Sequence, residues 1–233
     1  MALFYNDRVL PLTIPAEAGP IPATLFEPDR PRHTLVLAHG AGAGQSHPWM
    51  RARAADLASR GIRVVTFDFP YMTAGRKAPD RPPLLLAAWR AVVDHTAATH
   101  GGGVLAIGGK SMGGRMATML VAEADAPARI RGCVALGYPL HPPGRPDQLR
   151  VAHLSQIRVP LLVVQGEKDP FGGPADITRE FEAAGAHPRV VAIPHGGHGF
   201  EVRVRDGKQA DVYAGVADDV AEWLDTLQPS TDA

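Results

Sequence analysis

Three short segments of the sequence contain residue types that together can perform nucleophilic chemistry. The first is Gly109-Lys110-Ser111-Met112-Gly113, a G-x-S-x-G pattern between an apolar strand-like run and a helix-like segment. In that context a sharp turn exposes the serine hydroxyl and leaves the Met112 amide at the N-terminal end of the helix. A serine hydroxyl is a weak nucleophile at neutral pH, so Ser111 requires a base, and the base requires a group that orients it.

An acid and a base follow the ends of two later apolar runs, in the chain order Ser, Asp, His that is typical of α/β-hydrolases. We favour Asp169 over Glu167 as the acid because Asp169 lies further into its loop, directly before a proline. We favour His198 over His195 as the base because glycines flank it on both sides. Each of these residues alone reads as part of a surface loop, so the prediction depends on all three occurring together.

A segment of small residues, His39 to Gly44, follows another strand-like run. Acyl transfer requires hydrogen-bond donors for the developing oxyanion, and these are usually two backbone amides. Small side chains allow the backbone to approach a substrate oxygen closely. We therefore expect the amides of Met112 and Ala41 to form the oxyanion hole, with Gly42 as the alternative to Ala41.

Two glycine-containing segments resemble nucleotide-binding motifs without completing them. Gly109-Lys110-Ser111 ends like a phosphate-binding loop, but that motif requires glycine where Val104 stands. The segment 39–44 fails the dinucleotide pattern because Gln45 occupies its last glycine position. The histidines show no metal-ligand spacing, and the single cysteine, Cys133, lies in an apolar run that favours a buried structural thiol. We expect no cofactor and no metal.

Strand-like and helix-like segments alternate along most of the chain. Continuous apolar runs rich in β-branched residues predict strands buried on both faces, as in a parallel sheet. These runs are Thr34–Ala38, Ile62–Phe67, Val104–Gly108, Ile130–Leu136, Pro160–Val164 and Val190–Ile193, and Val9–Ile14 with Ile21–Phe26 predicts an edge hairpin. Helical spacing occurs at Pro48–Arg60, Pro83–Thr99, Met112–Glu123, Pro174–Ala184 and Asp211–Leu227.

This alternation predicts the α/β class, with a doubly wound, mostly parallel sheet of about eight strands flanked by helices. Ligands bind such sheets outside the carboxyl ends of the strands, where Ser111, Asp169 and His198 are all expected. No linker or internal repeat divides the chain. We predict one domain over residues 1–228 and a C-terminal tail over 229–233.

Composition excludes several functional classes. The 233 residues are 45% hydrophobic and 21% charged, which is enough to bury a core. The 24 basic and 24 acidic residues give no net charge, which argues against a nucleic-acid partner. The sequence contains no signal-peptide pattern and no apolar stretch long enough to span a membrane, so we predict a cytoplasmic protein with no membrane partner. Arginine exceeds lysine and alanine is abundant, which indicates a GC-rich bacterial genome.

Four motifs together resemble a known family. They are Phe67-Asp68-Phe69-Pro70-Tyr71, the segment 109–115, the segment 136–144 and the segment 165–172. The chain is similar to α/β-hydrolases of the dienelactone-hydrolase-like group. More narrowly, it resembles the branch that includes testis-expressed protein 30 and a subunit of the non-specific-lethal chromatin complex. The resemblance spans nearly the whole chain and implies the α/β-hydrolase fold with a Ser-Asp-His site, but it implies no substrate.

The segment Gly137 to Val159 is too short and too rich in proline for the helical cap that lipases place there. We therefore expect no large cap domain and a shallow, open pocket suited to small soluble esters. Tyr71, Tyr138 and Phe171 are candidates either to line this pocket or to pack in the core. Lys110, next to the serine, is expected to point back into the fold or sideways.

Two functional hypotheses from different classes follow. The leading one is a serine hydrolase of carboxylic esters or thioesters, in which Ser111 attacks, His198 transfers the proton and Asp169 orients the imidazole. Its partner is a small-molecule substrate, and the sequence leaves the oligomeric state open. The alternative is a catalytically silent hydrolase-fold protein that acts as an interaction module, although the presence of all three residue types argues against it. A third option is acyl transfer or peptide cleavage by the same three residues.

Overall fold

The sheet expected from the apolar runs is present in the computed structural model of the protein, which describes residues 8–100, 102–202 and 208–229. The strands are β1 (Arg8–Ile14), β2 (Ile21–Glu27), β3 (His33–Ala38), β4 (Ile62–Phe67), β5 (Leu105–Lys110), β6 (Ile130–Leu136), β7 (Leu161–Gly166) and β8 (Arg189–Ile193). They form one eight-stranded sheet in the order β1-β2-β4-β3-β5-β6-β7-β8. β2 pairs antiparallel with β1 and β4, and every other pairing is parallel.

Within the described ranges, six α-helices connect or follow the strands. They are α1 (Pro48–Ala58), α2 (Pro70–Thr73), α3 (Pro82–Thr99), α4 (Met112–Ala122), α5 (Pro174–Ala183) and α6 (Lys208–Asp225). Four of them begin with proline, which is tolerated in the first helical turn because the amide there has no intrahelical partner. The sequence pattern does not predict α2, because four residues are too few to show helical periodicity.

The helices cover both faces of the sheet, which explains why its central strands are continuously apolar. α1 and α6 pack with one set of buried strand residues, and α3, α4 and α5 pack with the other. In β3, for example, Leu35 and Leu37 face the first set while Val36 and Ala38 face the second, since successive side chains point to opposite faces. Cys133, in β6, is a buried free thiol.

The parallel strands end at the same edge of the sheet. The register aligns Ala38 with Gly109, Lys110 with Leu136, and Leu136 with Val164. The residues that follow β3, β5, β7 and β8 therefore meet above this edge. Between β6 and β7 the only regular structure is a 3₁₀ turn at Leu154–Gln156, so no cap covers the edge from that segment.

Two sequence predictions concern the chain ends and the membrane. The predicted tail, 229–233, lies outside the described residues apart from Pro229, so its boundary stays a prediction. Among the helices of the described ranges, none combines the length and the apolar character needed to cross a membrane.

Candidate active site

Ser111 occupies a strained turn between β5 and α4. Its backbone angles, φ 51° and ψ −115°, are unfavourable for a residue with a Cβ atom. Hydrogen bonds on both sides hold this conformation, since the Ser111 amide donates to the Leu136 carbonyl at 2.9 Å and the Arg115 amide donates to the Ser111 carbonyl at 3.0 Å. The turn places the serine side chain at the mouth of a cleft.

The two glycines of the G-x-S-x-G pattern allow this turn to pack closely. A Cβ on Gly109 would lie 2.6 Å from the Gly113 carbonyl carbon and 2.7 Å from the Ala38 oxygen. A Cβ on Gly113 would lie 2.6 Å from the backbone oxygens of both Ala38 and His39. Glycine is therefore required at both positions, and its absence of a side chain brings the end of β3 next to Ser111.

The structure brings Ser111, His198 and Asp169 into one hydrogen-bonded chain. The Ser111 hydroxyl lies 2.8 Å from Nε2 of His198, and Nδ1 of His198 lies 2.7 Å from Oδ2 of Asp169. A carboxylate accepts only, so the His198 Nδ1–H donates to Asp169 and Nε2 is left to accept the serine proton. The Asp169 side chain is fully buried, whereas 23% of the His198 side chain is exposed.

Asp169 is held by further donors that orient its carboxylate. The Phe171 amide donates to Oδ1 at 2.9 Å, and Nε2 of Gln165 donates to Oδ2 at 2.9 Å. Gln165 is itself completely buried, donates to the Gly172 carbonyl at 2.7 Å and accepts from the Tyr138 amide at 2.8 Å. Our sequence reasoning missed Gln165. Its signal was a lone amide side chain in the apolar strand β7, where a buried polar group needs several partners.

Lys110 supports the loop that presents His198. Its Nζ donates to the His198 carbonyl, and its ammonium lies 5.6 Å from the Trp49 ring centroid and 5.8 Å from that of Phe200. Burial lowers the pKa of Lys110 to about 8, against the opposing effect of the Asp169 carboxylate. Lys110 thus points back into the fold, beneath the histidine rather than toward the cleft.

The same loop is anchored from two helices. The Trp49 indole N–H on α1 and the Tyr213 hydroxyl on α6 both donate to the Gly199 carbonyl, at 3.0 and 3.1 Å. The Gly199 amide in turn donates to the Glu201 carboxylate at 2.8 Å. The glycine-rich loop is therefore held by hydrogen bonds on both sides of the histidine.

The two alternatives to the acid and the base contact each other instead of Ser111. The His195 amide donates to the Glu167 carboxylate at 2.8 Å, and 75% of the His195 side chain is exposed. This surface pair links the loop after β7 to the loop after β8. It leaves Asp169 and His198 as the residues directed at the serine.

The segment after β3 is held by a buried histidine, His39. His39 is fully buried; its Nδ1 lies 2.8 Å from the Gly40 carbonyl oxygen, and its Nε2 accepts from the Phe69 amide at 3.2 Å. These partners place the proton on Nδ1, and burial lowers the pKa of His39, which keeps the ring neutral. Because C=O and N–H point in opposite directions across a trans peptide, the Gly40 carbonyl held by His39 turns the Ala41 amide the other way.

Ala41 lines the cleft together with Ser111 and Met112. Gly42 is not among the residues that line the cleft, and the Tyr71 hydroxyl nearby is buried without a hydrogen-bond partner. Burial raises the pKa of Tyr71 to about 12. The arrangement therefore favours the Ala41 amide over that of Gly42 as the partner of the Met112 amide.

The cleft beside Ser111 has a volume of about 400 Å³. Its remaining walls are mainly proline and apolar side chains together with Asp80, Arg115 and Arg150. Phe171 lines it and its ring lies 4.5 Å from that of His198. Tyr71 and Tyr138 are fully buried and pack in the core, so of the three aromatic candidates only Phe171 faces the cleft. Within the described ranges, no three His, Cys, Asp or Glu side chains are grouped as a metal ion would require.

Comparison with known proteins agrees with this architecture. A family model described as the alpha/beta hydrolase domain matches residues 31–225. A serine hydrolase without a lid from Xanthomonas campestris is 23% identical, with a TM-score of 0.72 over 96% of this chain and 98% of its own. A dienelactone hydrolase from Anabaena variabilis is 20% identical, with a TM-score of 0.72 over 96% and 99%. An esterase from Pyrobaculum calidifontis is 19% identical, with a TM-score of 0.71 over 95% and 86%.

Proposed function

Because the chain belongs to the alpha/beta hydrolase domain family, we propose that it is a serine hydrolase that cleaves carboxylic esters or thioesters through an acyl-enzyme. The observation that carries the proposal is the unbroken hydrogen-bonded path from the Ser111 hydroxyl through His198 to the buried Asp169 carboxylate, beside an open cleft. The serine hydrolase and esterases with the same fold support it at the level of architecture.

In the acylation step, Ser111 Oγ attacks the substrate carbonyl carbon while His198 Nε2 takes the hydroxyl proton. Asp169 accepts from Nδ1 and stabilises the imidazolium that forms. The Met112 and Ala41 amides donate to the oxyanion, and each such donor typically contributes about 3–4 kcal/mol to the transition state. Collapse of the tetrahedral intermediate expels the alcohol or thiol, which receives its proton from His198.

In the deacylation step, water replaces the leaving group. His198 takes a proton from the water as it attacks the acyl carbonyl, and then returns this proton to Ser111 Oγ as the acid is released. The reaction requires no cofactor, since water supplies the only other reactant. Two further residues position the groups that react. Lys110 holds the loop that contains His198, and Gln165 orients the Asp169 carboxylate.

The open cleft of about 400 Å³ and the absence of a cap between β6 and β7 favour small substrates over long lipid chains. The four motifs at residues 67–71, 109–115, 136–144 and 165–172 together support placement in the branch containing testis-expressed protein 30. A cytoplasmic location and the absence of nucleic-acid or membrane partners stay predictions from the sequence.

Covalent labelling tests the proposal. A fluorophosphonate probe reacts only with an activated serine, so we expect one adduct, located on Ser111 by mass spectrometry. Ser111→Ala should abolish it, while Ser155→Ala, which alters an exposed serine outside the site, should not. Hydrolysis of short-chain 4-nitrophenyl esters should fall roughly a millionfold in Ser111→Ala, to background.

The absence of an adduct on folded wild-type protein would contradict the proposal. In that case the interaction-module hypothesis would take its place. An adduct accompanied by release of acyl product only when an amine or a second alcohol is added would instead indicate acyl transfer with the same three residues.

A further inference from the structure

Two arginine side chains, Arg115 and Arg150, enter the cleft beside Ser111. Neither forms an ion pair with a carboxylate among the described residues, although thirteen other pairs are formed there. Arginine residues elsewhere on this protein, such as Arg63 and Arg90, do pair with glutamate. Two unpaired guanidinium groups in one cleft therefore need a separate explanation.

The surroundings of both groups are poor in hydrogen-bond acceptors. Nε of Arg115 is buried and has no hydrogen-bond partner, and the contact of Arg150 is a long one, from Nη1 to the Pro139 carbonyl at 3.4 Å. Arg115 and Arg150 line the same cleft, and desolvation and the charge of Arg115 both lower the pKa of Arg150. Partly buried like charges with unused donors are stabilised when an anion binds between them.

The other charged residue of the cleft does not cancel them. Asp80 lines the same wall, but its Oδ1 already accepts from Arg76 at 2.7 Å. Asp80 is thus paired with Arg76, which does not line the cleft, and in the described part of the chain Arg115 and Arg150 have no carboxylate partner of their own. Oδ2 of Asp80 is buried without a hydrogen-bond partner, as is Nε of Arg115, so the two groups do not pair with each other.

We propose that Arg115 and Arg150 form a carboxylate-binding subsite, so that the substrate is an ester or thioester whose acyl part ends in a second carboxylate. Only the reacting bond in this statement rests on the proposed hydrolase function. A planar guanidinium matches a carboxylate with two parallel hydrogen bonds, and two of them suit its two oxygens.

The size of the cleft limits the length of the acyl part. Arg115 follows Ser111 by four residues, and its amide donates to the Ser111 carbonyl, so the two residues lie about one turn apart at the start of α4. Because both residues line one small cleft, the acyl groups that we test are short dicarboxylic ones, such as succinyl and glutaryl. The cleft of about 400 Å³ accommodates an acid of this size.

A matched pair of esters tests the subsite. 4-Nitrophenyl hydrogen glutarate and 4-nitrophenyl pentanoate have the same leaving group and the same number of acyl carbons, and differ in the terminal carboxylate. We expect wild type to show the higher kcat/KM for the glutarate ester at low ionic strength. Arg115→Gln and Arg150→Gln should each lower the ratio of the two kcat/KM values about tenfold or more.

Two further variants complete this comparison. Arg145→Gln changes an exposed arginine of the same loop that does not line the cleft, and should leave both rates unchanged. Arg115→Lys retains the charge and should recover part of the ratio. An unchanged ratio in Arg150→Gln, or a preference of wild type for the neutral ester, would overturn the proposal.

A binding measurement separates this proposal from the hydrolase function. Calorimetric titration of glutarate into Ser111→Ala, with glutaramide at matched ionic strength as control, should show binding of the dianion alone. The double variant Arg115→Gln/Arg150→Gln in the same background should lose it. If glutarate binds but the fluorophosphonate probe does not label Ser111 of the wild type, the subsite is upheld and the hydrolase function is rejected. Failure of glutarate to bind would reject the subsite even if neutral esters are cleaved.

Discussion

Replacement of Ser111 by glycine should make the protein inactive and more stable than replacement by alanine. With φ 51° and ψ −115°, this position is unfavourable for any residue that has a Cβ atom. Both variants lose the hydrogen bond between the Ser111 hydroxyl and His198. The difference between them therefore isolates the effect of the Cβ atom on the free energy of unfolding.

The magnitude follows from two opposing contributions. A non-glycine residue in such a region costs about 1–3 kcal/mol, and glycine removes that cost. Glycine also gives the unfolded chain more conformational freedom, which lowers stability by roughly 0.4–1 kcal/mol. Ser111→Gly should thus exceed Ser111→Ala in unfolding free energy by about 0.5–2 kcal/mol, or about 1–8 °C in Tm for a chain of this size.

Urea unfolding followed by circular dichroism measures this difference, provided that the two variants share one m value. Ala87→Gly, on the exposed side of α3, provides the matched control for an Ala-to-Gly change. There the same change should lower stability by about 1 kcal/mol, because the backbone is already helical. If Ser111→Gly is also less stable than Ser111→Ala, the turn is not strained and the reasoning is wrong.

Three further predictions address packing, positioning and pH. Gly113→Ala should lower the unfolding free energy by about 1–3 kcal/mol, because its Cβ would lie 2.6 Å from two backbone oxygens. The control Gly215→Ala in α6, whose Cβ would have nothing within 4 Å, should raise the unfolding free energy by up to about 1 kcal/mol. Urea unfolding of both variants measures these changes. Gln165→Leu should leave the buried Asp169 carboxylate and the Tyr138 amide each without one hydrogen-bond partner, and each loss should lower the unfolding free energy by about 1–3 kcal/mol. The variant should also have a lower kcat, and Gln165→Glu serves as the comparison. Burial lowers the pKa of His153 from 6.5 to about 4. Between these pH values the unfolded chain binds a proton that the folded protein does not, so stability decreases as pH falls from about 6.5 to about 4. His153→Gln should make this decrease smaller by as much as about 3 kcal/mol, which Tm measured against pH would show.

Local patterns in the sequence were enough to predict the architecture. Apolar runs such as Ile62–Phe67 coincide with strand β4, and proline-initiated segments such as Pro48–Arg60 contain the observed helices, because period and length are local properties of the chain. The G-x-S-x-G pattern likewise predicted the turn at Ser111, since its glycines and serine lie within five consecutive residues between a strand and a helix. These features depend on residues that are neighbours along the chain.

The sequence also named the residues that meet at the carboxyl edge, but not the contacts that choose among them. That His195 pairs with Glu167, and His198 with Asp169, follows from how the β7 and β8 loops pack, with separations of about thirty residues. The same is true of the Ala41 amide, whose direction depends on the buried ring of His39 and its contact with Phe69. Spacing along the chain contains no information on these orientations.

The roles of the residues outside the G-x-S-x-G pattern and the predicted acid and base depend on how the chain packs. Gln165 reaches Asp169 from within β7, Lys110 donates to the His198 carbonyl from β5, and Arg115 of α4 lines one cleft with Arg150 of the loop before β7. The Lys110 contact joins segments 88 residues apart, and the Gln165 contact, although its partners lie only four residues apart, depends on how β7 and the loop after it pack. Burial sets the strength of such a charge or hydrogen bond. The residue types limited what chemistry was possible, and the packing of the sheet edge selected which of them act together.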